Sequence, residues 1–171
     1  MKVINVLSGP GAGKSTLAAG LYYTAKCKDL HVELVTEVAK DLVWEGREKA
    51  LKNQAYVFGR QVQRVDRVSH NDLVITDSPF LLSATYAPKD YPKSWEDVVV
   101  QIWKKYNNYV IFLNRGHKYE SKGRLHNFQE SLEIDTMIVD LLARHDIQYT
   151  SVDHDYSNLD ELLEIVLQKR A

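Results

Sequence analysis

Directly after the apolar run Val3 to Leu7, residues 8 to 16 read Ser-Gly-Pro-Gly-Ala-Gly-Lys-Ser-Thr. These residue types, in this spacing, suit the holding of a phosphate chain. Gly9, Gly11 and Gly13 let backbone N–H groups converge on phosphate oxygens, Lys14 can reach the β and γ phosphates, and Ser15 can ligate magnesium at a helix N-terminus. ATP and Mg2+ are therefore expected, with Gly9, Pro10, Gly11, Ala12, Gly13, Lys14, Ser15 and Thr16 as the nucleotide cradle. The general pattern, G-x-x-x-x-G-K-S/T, begins with glycine where this chain has Ser8. That departure bears on the geometry of the loop.

Carboxylates follow at the ends of two later apolar runs. Asp77, in LVITDSP, stands where a phosphate-loop protein keeps the acid that holds magnesium, directly or through water. Its competing role is to cap a helix starting near Phe80. Glu37, in VELVTEVAKDLVW, is projected toward the same sheet edge. An acid there can accept the proton of an attacking hydroxyl, or it can serve as a first-turn acid on the helix dipole, and Asp77 and Asp41 compete with it as general base.

The segment NRGHKYESKGRLHNF is too basic and irregular for a core. Arg115 and Arg124 flank a stretch containing Gly116 and Gly123, which suits a short lid over about 115–126 that brings cations to a transferring phosphoryl group. Lys14, Glu37, Asp77, Arg115 and Arg124 are thus the catalytic candidates, and Ser15 and Asp77 the metal candidates.

SGPGAGKST, TEVAKDL, TDSPF and NRGHKYESKGR, in this order and over nearly the whole chain, resemble the bacteriophage-encoded P-loop kinases related to nucleoside and nucleotide kinases. One branch of that family phosphorylates 5-hydroxymethyluracil in DNA, a step toward hypermodified thymidine. The resemblance implies transfer of the γ-phosphate of ATP to an alcohol, with Lys14, Ser15, Asp77, Arg115 and Arg124 at phosphate, magnesium and lid positions and Glu37 as the base. It leaves open whether the acceptor is DNA with a modified pyrimidine or a free nucleoside or nucleotide. A non-catalytic nucleotide-binding module is the remaining alternative.

The acceptor side is expected between the second and third strands. NQAYVFGRQVQRVDRV has helical spacing, with Arg60, Arg64 and Arg67 sharing one face as candidate phosphate contacts. Gln54, Phe58 and Gln61 form a neighbouring stripe that offers amides and an aromatic ring to a base, and Trp44, two turns beyond Glu37, is a further stacking candidate. The other reading of this helix is amphipathic, with Phe58 in the core and the arginines in water.

Five apolar segments must position these groups: Val3 to Leu7, His31 to Thr36, Leu73 to Thr76, Tyr109 to Leu113 and Gln148 to Val152. Helical patterns alternate with them, the first over Ser15 to Lys28, and Pro88 to Pro92 marks a turn-rich loop. Strict alternation predicts an α/β fold with three layers, α/β/α, around a five-stranded parallel sheet joined by right-handed crossovers. With 171 residues, 44% of them hydrophobic, a single domain over 1–171 is expected, which the resemblance makes a P-loop kinase domain. No stretch approaches the ~20 apolar residues of a membrane span, and neither a signal peptide nor a cysteine framework is present, so a cytoplasmic protein is expected. Cys27, the lone cysteine, is assigned no chemistry.

The net charge of -1 conceals basic stretches at 47 to 70 and 104 to 126, opposed by an acidic C-terminal region. Such asymmetry fits an anionic ligand at the middle of the chain. A signalling GTPase would need Asn-Lys-x-Asp after a strand, and FLNRGHKY supplies Asn-Arg-Gly-His instead. A remodelling ATPase would carry a helical lid domain, for which this length leaves no room.

Overall fold

A computed structural model describes residues 1–116, 126–155 and 157–168. In chain order these form β1 (Lys2–Leu7), α1 (Lys14–Cys27), β2 (Val32–Val35), α2 (Val38–Trp44), a 3-10 turn (Glu48–Lys52), α3 (Gln54–Asp66), β3 (Leu73–Thr76), α4 (Leu82–Thr85), α5 (Trp95–Trp103), β4 (Asn107–Leu113), α6 (Phe128–Arg144), β5 (Thr150–Val152) and α7 (Leu159–Gln168). The strands form one five-stranded sheet in the order β2-β3-β1-β4-β5, every pairing parallel.

A parallel sheet covered on both faces needs strands that are apolar on both sides, and β1 meets this condition. Its alternate residues supply two separate cores. Val3 and Leu7 face a cluster with Phe58, Phe80, Val99, Trp103 and Ile138, whereas Ile4 and Val6 face one with Leu17, Leu21, Leu162 and Leu163. Thus α3, α4, α5 and α6 cover one face, and α1 and α7 the other. This is the predicted three-layer α/β architecture. The strand segments fall where the sequence places them, shortened by up to two residues at β2 and β5 and extended by two at the start of β4. The helix expected near Phe80 begins at Leu82, so Asp77 does not cap it.

Sheet order decides where a ligand can sit. β1 is central, and the chain leaves it toward β2 on one side before returning to build β4 and β5 on the other, which opens a crevice beyond the carboxyl ends of β1 and β3. The phosphate loop, Glu37 and Asp77 all follow carboxyl ends of strands at this edge. Among the described residues, no helix is long and apolar enough to cross a membrane.

One ion-pair cluster ties the helices on the first face together. Glu96, in the first turn of α5, accepts from Arg144 Nε at 3.0 Å and Nη2 at 2.8 Å, and His145 Nε2 lies 2.8 Å away. The Arg144 hydrogen bonds, helped by His145, hold its carboxyl below the usual glutamate range against the opposing effect of partial burial. A depressed folded-state value stabilises the fold above the ordinary glutamate pKa, and that contribution is lost as the pH falls through the lowered value. Glu96→Gln is expected to cost about 1 kcal/mol near neutral pH, or about 2–4 °C in Tm. The difference from the parent should shrink toward zero below about pH 4, as measured by thermal melts across pH.

Candidate active site

Positive φ at Gly11 (81°) and Gly13 (98°) carries the chain from β1 into α1. Gly13 is the N-cap of that helix, so the residue preceding its first turn brings no side chain into the phosphate position. Lys14 Nζ donates to Gly9 O at 2.9 Å, folding the lysine back over the loop. Burial holds its ammonium below the usual lysine range, while the charges of Glu37, Asp77 and Asp135 act to keep it protonated and Arg115 opposes them. Lys14 therefore lies among acids that favour its charged form, and added negative charge would act in the same direction.

Ser15 Oγ donates to Asp77 Oδ2 at 2.5 Å. Asp77 is buried, and its Oδ1 has no hydrogen-bond partner among the described residues. A buried carboxylate oxygen with no donor is costly, and a hard divalent cation with oxygen ligands relieves that cost. Ser15 and Asp77 therefore fit magnesium, the former by its hydroxyl and the latter by carboxylate oxygen.

Glu37 is the N-cap residue of α2, with no side-chain capping bond, and it faces the cleft. Its backbone is pinned on both sides by Gln61, whose Nε2 donates to Thr36 O at 3.1 Å while its Oε1 accepts from Val38 N at 3.0 Å. Arg64 donates to the same Thr36 O at 3.0 Å and pairs with Asp41. Two expectations are corrected here. Gln61, although it borders the cleft, spends its amide on the β2–α2 junction rather than on a ligand, and Arg64 spends its charge on Asp41. Asp41 is in turn bound to Arg64, unlike a base waiting for a proton.

The expected arginine stripe is broken for the same reason. Arg60 donates to Tyr56 Oη at 2.9 Å and lies over that ring, Arg64 turns inward, and only Arg67 of the three has no such contact among the described residues. Phe58 is likewise corrected. It is buried edge-on against Phe80 and Trp95, at centroid distances of 5.6 Å each, behind the cleft wall. A buried ring that does not line the cleft is not available to stack on a base.

The cleft itself has a volume of about 680 Å³. One end is Pro10, Gly11 and Gly13 to Thr16; the other is walled by α2, the 3-10 turn, the start of α3 and the segment from Ser78 to Tyr86. Gln54 is buried in this wall, with Nε2 donating to Leu51 O at 2.7 Å. Trp44 stands at the rim, 79% exposed. Of the expected cradle, Gly9 and Ala12 do not line the cleft: the N–H of Gly9 donates to Asp135 at 2.5 Å, and Ala12 is buried.

Arg115 is turned toward the underside of the loop. It pairs with Asp135 and donates to Pro10 O at 2.7 Å and Ser131 O at 3.0 Å. Arg124 and most of the expected lid lie outside the described residues. Sequence reasoning missed Asp135, Tyr86 and the aromatic wall at Phe80. Asp135 and Ser131 had one visible signal, two polar residues four apart next to the apolar stripe of α6 that contains Ile134 and Ile138. Tyr86 had none. Burial, with the nearby charges of Glu37 and Asp135, pushes its phenol well above the usual tyrosine range, so it stands beside the acids as a neutral donor.

A family model described as "AAA domain" matches residues 3–158. The chain belongs to this family. Three solved structures share the fold of this AAA domain. The crystal structure of NadR protein in complex with NR superposes with a TM-score of 0.71 at 16% identity, covering 99% of this chain and 53% of that one. The AAA domain chain thus spans about half the length of that protein. Two structures of deoxyadenosine kinase from M. mycoides also match. The one with bound dATP has a TM-score of 0.62 at 17% identity over 99% of this chain and 100% of that one. The other, with products dCMP and a flexible dCDP, gives 0.59 at 14% identity over 98% and 97%. A search of curated proteins by sequence finds no match to this AAA domain chain.

Proposed function

We propose that this chain is an ATP-dependent kinase that phosphorylates a hydroxyl of a free nucleoside or nucleotide. One observation carries the reading: the cleft lined by Lys14 and Ser15 of the phosphate loop is lined also by Glu37 and continues into an acceptor-sized chamber, while the charges of Glu37 and of Asp77, which accepts from Ser15, act on Lys14. Its 680 Å³ falls within the range of small-molecule sites, and a phosphate-binding loop that only held a nucleotide would need no walled chamber on the acceptor side. The NadR structure in complex with NR and the deoxyadenosine kinase structures with dATP or with dCMP and dCDP, which share this fold, support the same substrate class.

In this mechanism Lys14 leaves Gly9 O and follows the γ-phosphate of ATP. Ser15 and Asp77 would hold magnesium, which would supply positive charge against the phosphates of ATP. Glu37 accepts the proton of the acceptor hydroxyl as its oxygen bonds to the γ-phosphorus and the bond from that phosphorus to the bridging oxygen of ADP breaks. Gln54, held by Leu51 O through one N–H, presents the rest of its amide to the base, with Phe80 and Trp44 as the apolar wall and rim.

5-Hydroxymethyluracil in DNA, the acceptor implied by resemblance, competes less well. A polymer needs cations for its neighbouring phosphates, and Arg60 and Arg64 are already engaged within the protein. The discriminating experiment offers labelled ATP together with deoxynucleosides, ribonucleosides, nucleoside monophosphates or hydroxymethylated DNA. Label is expected on a free nucleoside or nucleotide. Label on DNA alone would reverse the choice of acceptor, and label on none of them would leave a nucleotide-binding module.

A further inference from the structure

The nonstandard first position of the phosphate loop has a partner on the opposite side of the molecule's sequence. Asp135, in the middle of α6, accepts from Ser8 Oγ at 3.0 Å and from Gly9 N at 2.5 Å through one oxygen, and from Arg115 through the other. Arg115 then reaches on to Pro10 O. Three successive residues of the loop are therefore held from beneath by two charged side chains, each largely buried at 17% and 11% exposure. The approach is too close for any residue but glycine at position 9: a Cβ there would lie 2.6 Å from both Arg115 Nη2 and Ser131 O, and 3.1 Å from Asp135 Oδ1.

We infer that Asp135 is a positioning residue for phosphate binding, and that Arg115 acts with it on the loop instead of on the transferring phosphoryl group. The physical need is plain. A phosphate loop works by presenting backbone N–H groups already aimed at the anion, so its first residues must not relax toward other partners before ATP arrives. Without a glycine at position 8 the turn bears a side chain, and Asp135 turns that side chain into an anchor. Ser8, Gly9 and Asp135 thus explain each other. Arg115 supplies the countercharge that allows a carboxylate to be buried beside an anion-binding loop, where its own charge would otherwise repel phosphate.

This inference rests on the donor half of the proposed function, ATP at the phosphate loop, and is independent of the acceptor. Binding of a fluorescent ATP analogue to the full chain tests it, alongside kcat and thermal melts. Asp135→Ala is expected to weaken binding about tenfold, because it strands the Arg115 guanidinium and frees both Ser8 and Gly9. Asp135→Asn should recover part of the loss, since an amide oxygen still accepts from Gly9 N. Arg115→Ala should be milder than Asp135→Ala, and the double variant no worse than Asp135→Ala, as members of one unit are not additive. If Asp135→Ala does not fold, Ser8→Ala and Asp135→Asn carry the test, with Ser8→Ala expected to weaken binding about threefold. Wild-type affinity in the folded Asp135 and Ser8 variants, with Arg115→Ala lowering kcat alone, would overturn the inference and return Arg115 to the phosphoryl group. Failure of the wild type to bind the analogue would instead overturn the donor reading.

Discussion

Lys14→Ala is expected to reduce kcat/KM for ATP-dependent transfer by about a thousandfold or more. The ammonium donates to Gly9 O at 2.9 Å, and the charges of Glu37, Asp77 and Asp135 act on it. Arg115 does not share this position, because it is bound beneath the loop to Asp135, Pro10 and Ser131. Charge that builds on the γ-phosphoryl oxygens in the transition state would therefore face three carboxylates with its main counterweight removed. The fold should survive, since the lysine is held by a single backbone oxygen and packs in neither sheet core. Steady-state kinetics with circular dichroism of the same sample checks both parts. Near wild-type turnover in a folded variant would mean that this loop is not the donor site.

Glu37→Gln should lower kcat by about a hundred- to ten-thousandfold while leaving the KM for the acceptor within a few-fold of wild type. The substitution keeps the shape of the side chain and the Gln61 clamp on Thr36 and Val38, so it removes the proton acceptor and little else. If the carboxylate is the base, Glu37→Asp, which keeps an acid on a shorter side chain, should retain more turnover than Glu37→Gln. Equal loss in both, or turnover near wild type in Glu37→Gln, would point to Asp77 as the base. Asp41→Asn offers the control, because Asp41 is paired with Arg64 and should affect the position of α2 more than the proton transfer. Loss of the Glu37 charge should also make Tyr86 easier to ionise, since that charge adds to burial in raising its phenol.

The phosphate loop, the strand segments and the two acids at the carboxyl edge were readable because each is local. Glycines five, three and one residues before a Lys-Ser pair specify one turn whatever lies elsewhere, and an apolar run bounded by turn residues is a buried strand wherever it pairs. Glu37 and Asp77 follow such runs directly, so their place at the sheet edge needed only the strand ends to be right. The sheet order itself required the tertiary structure, since alternation of strands and helices is compatible with several orders.

Side chains on α3 and α6 show what local pattern could not decide. Helical spacing places Gln54, Phe58 and Gln61 on one stripe and Arg60, Arg64 and Arg67 on another, and it says nothing of what those stripes meet. Phe58 met Phe80 and Trp95; Gln61 and Arg64 met the carbonyl of Thr36, an unpaired backbone acceptor where β2 ends and α2 has yet to begin. A polar side chain in a folded protein is claimed by the nearest unsatisfied backbone group, and which group that is depends on packing between segments far apart in the chain. Asp135 is the extreme case. It stands 127 residues from Ser8, and only the crossing of α6 beneath the loop brings the two together.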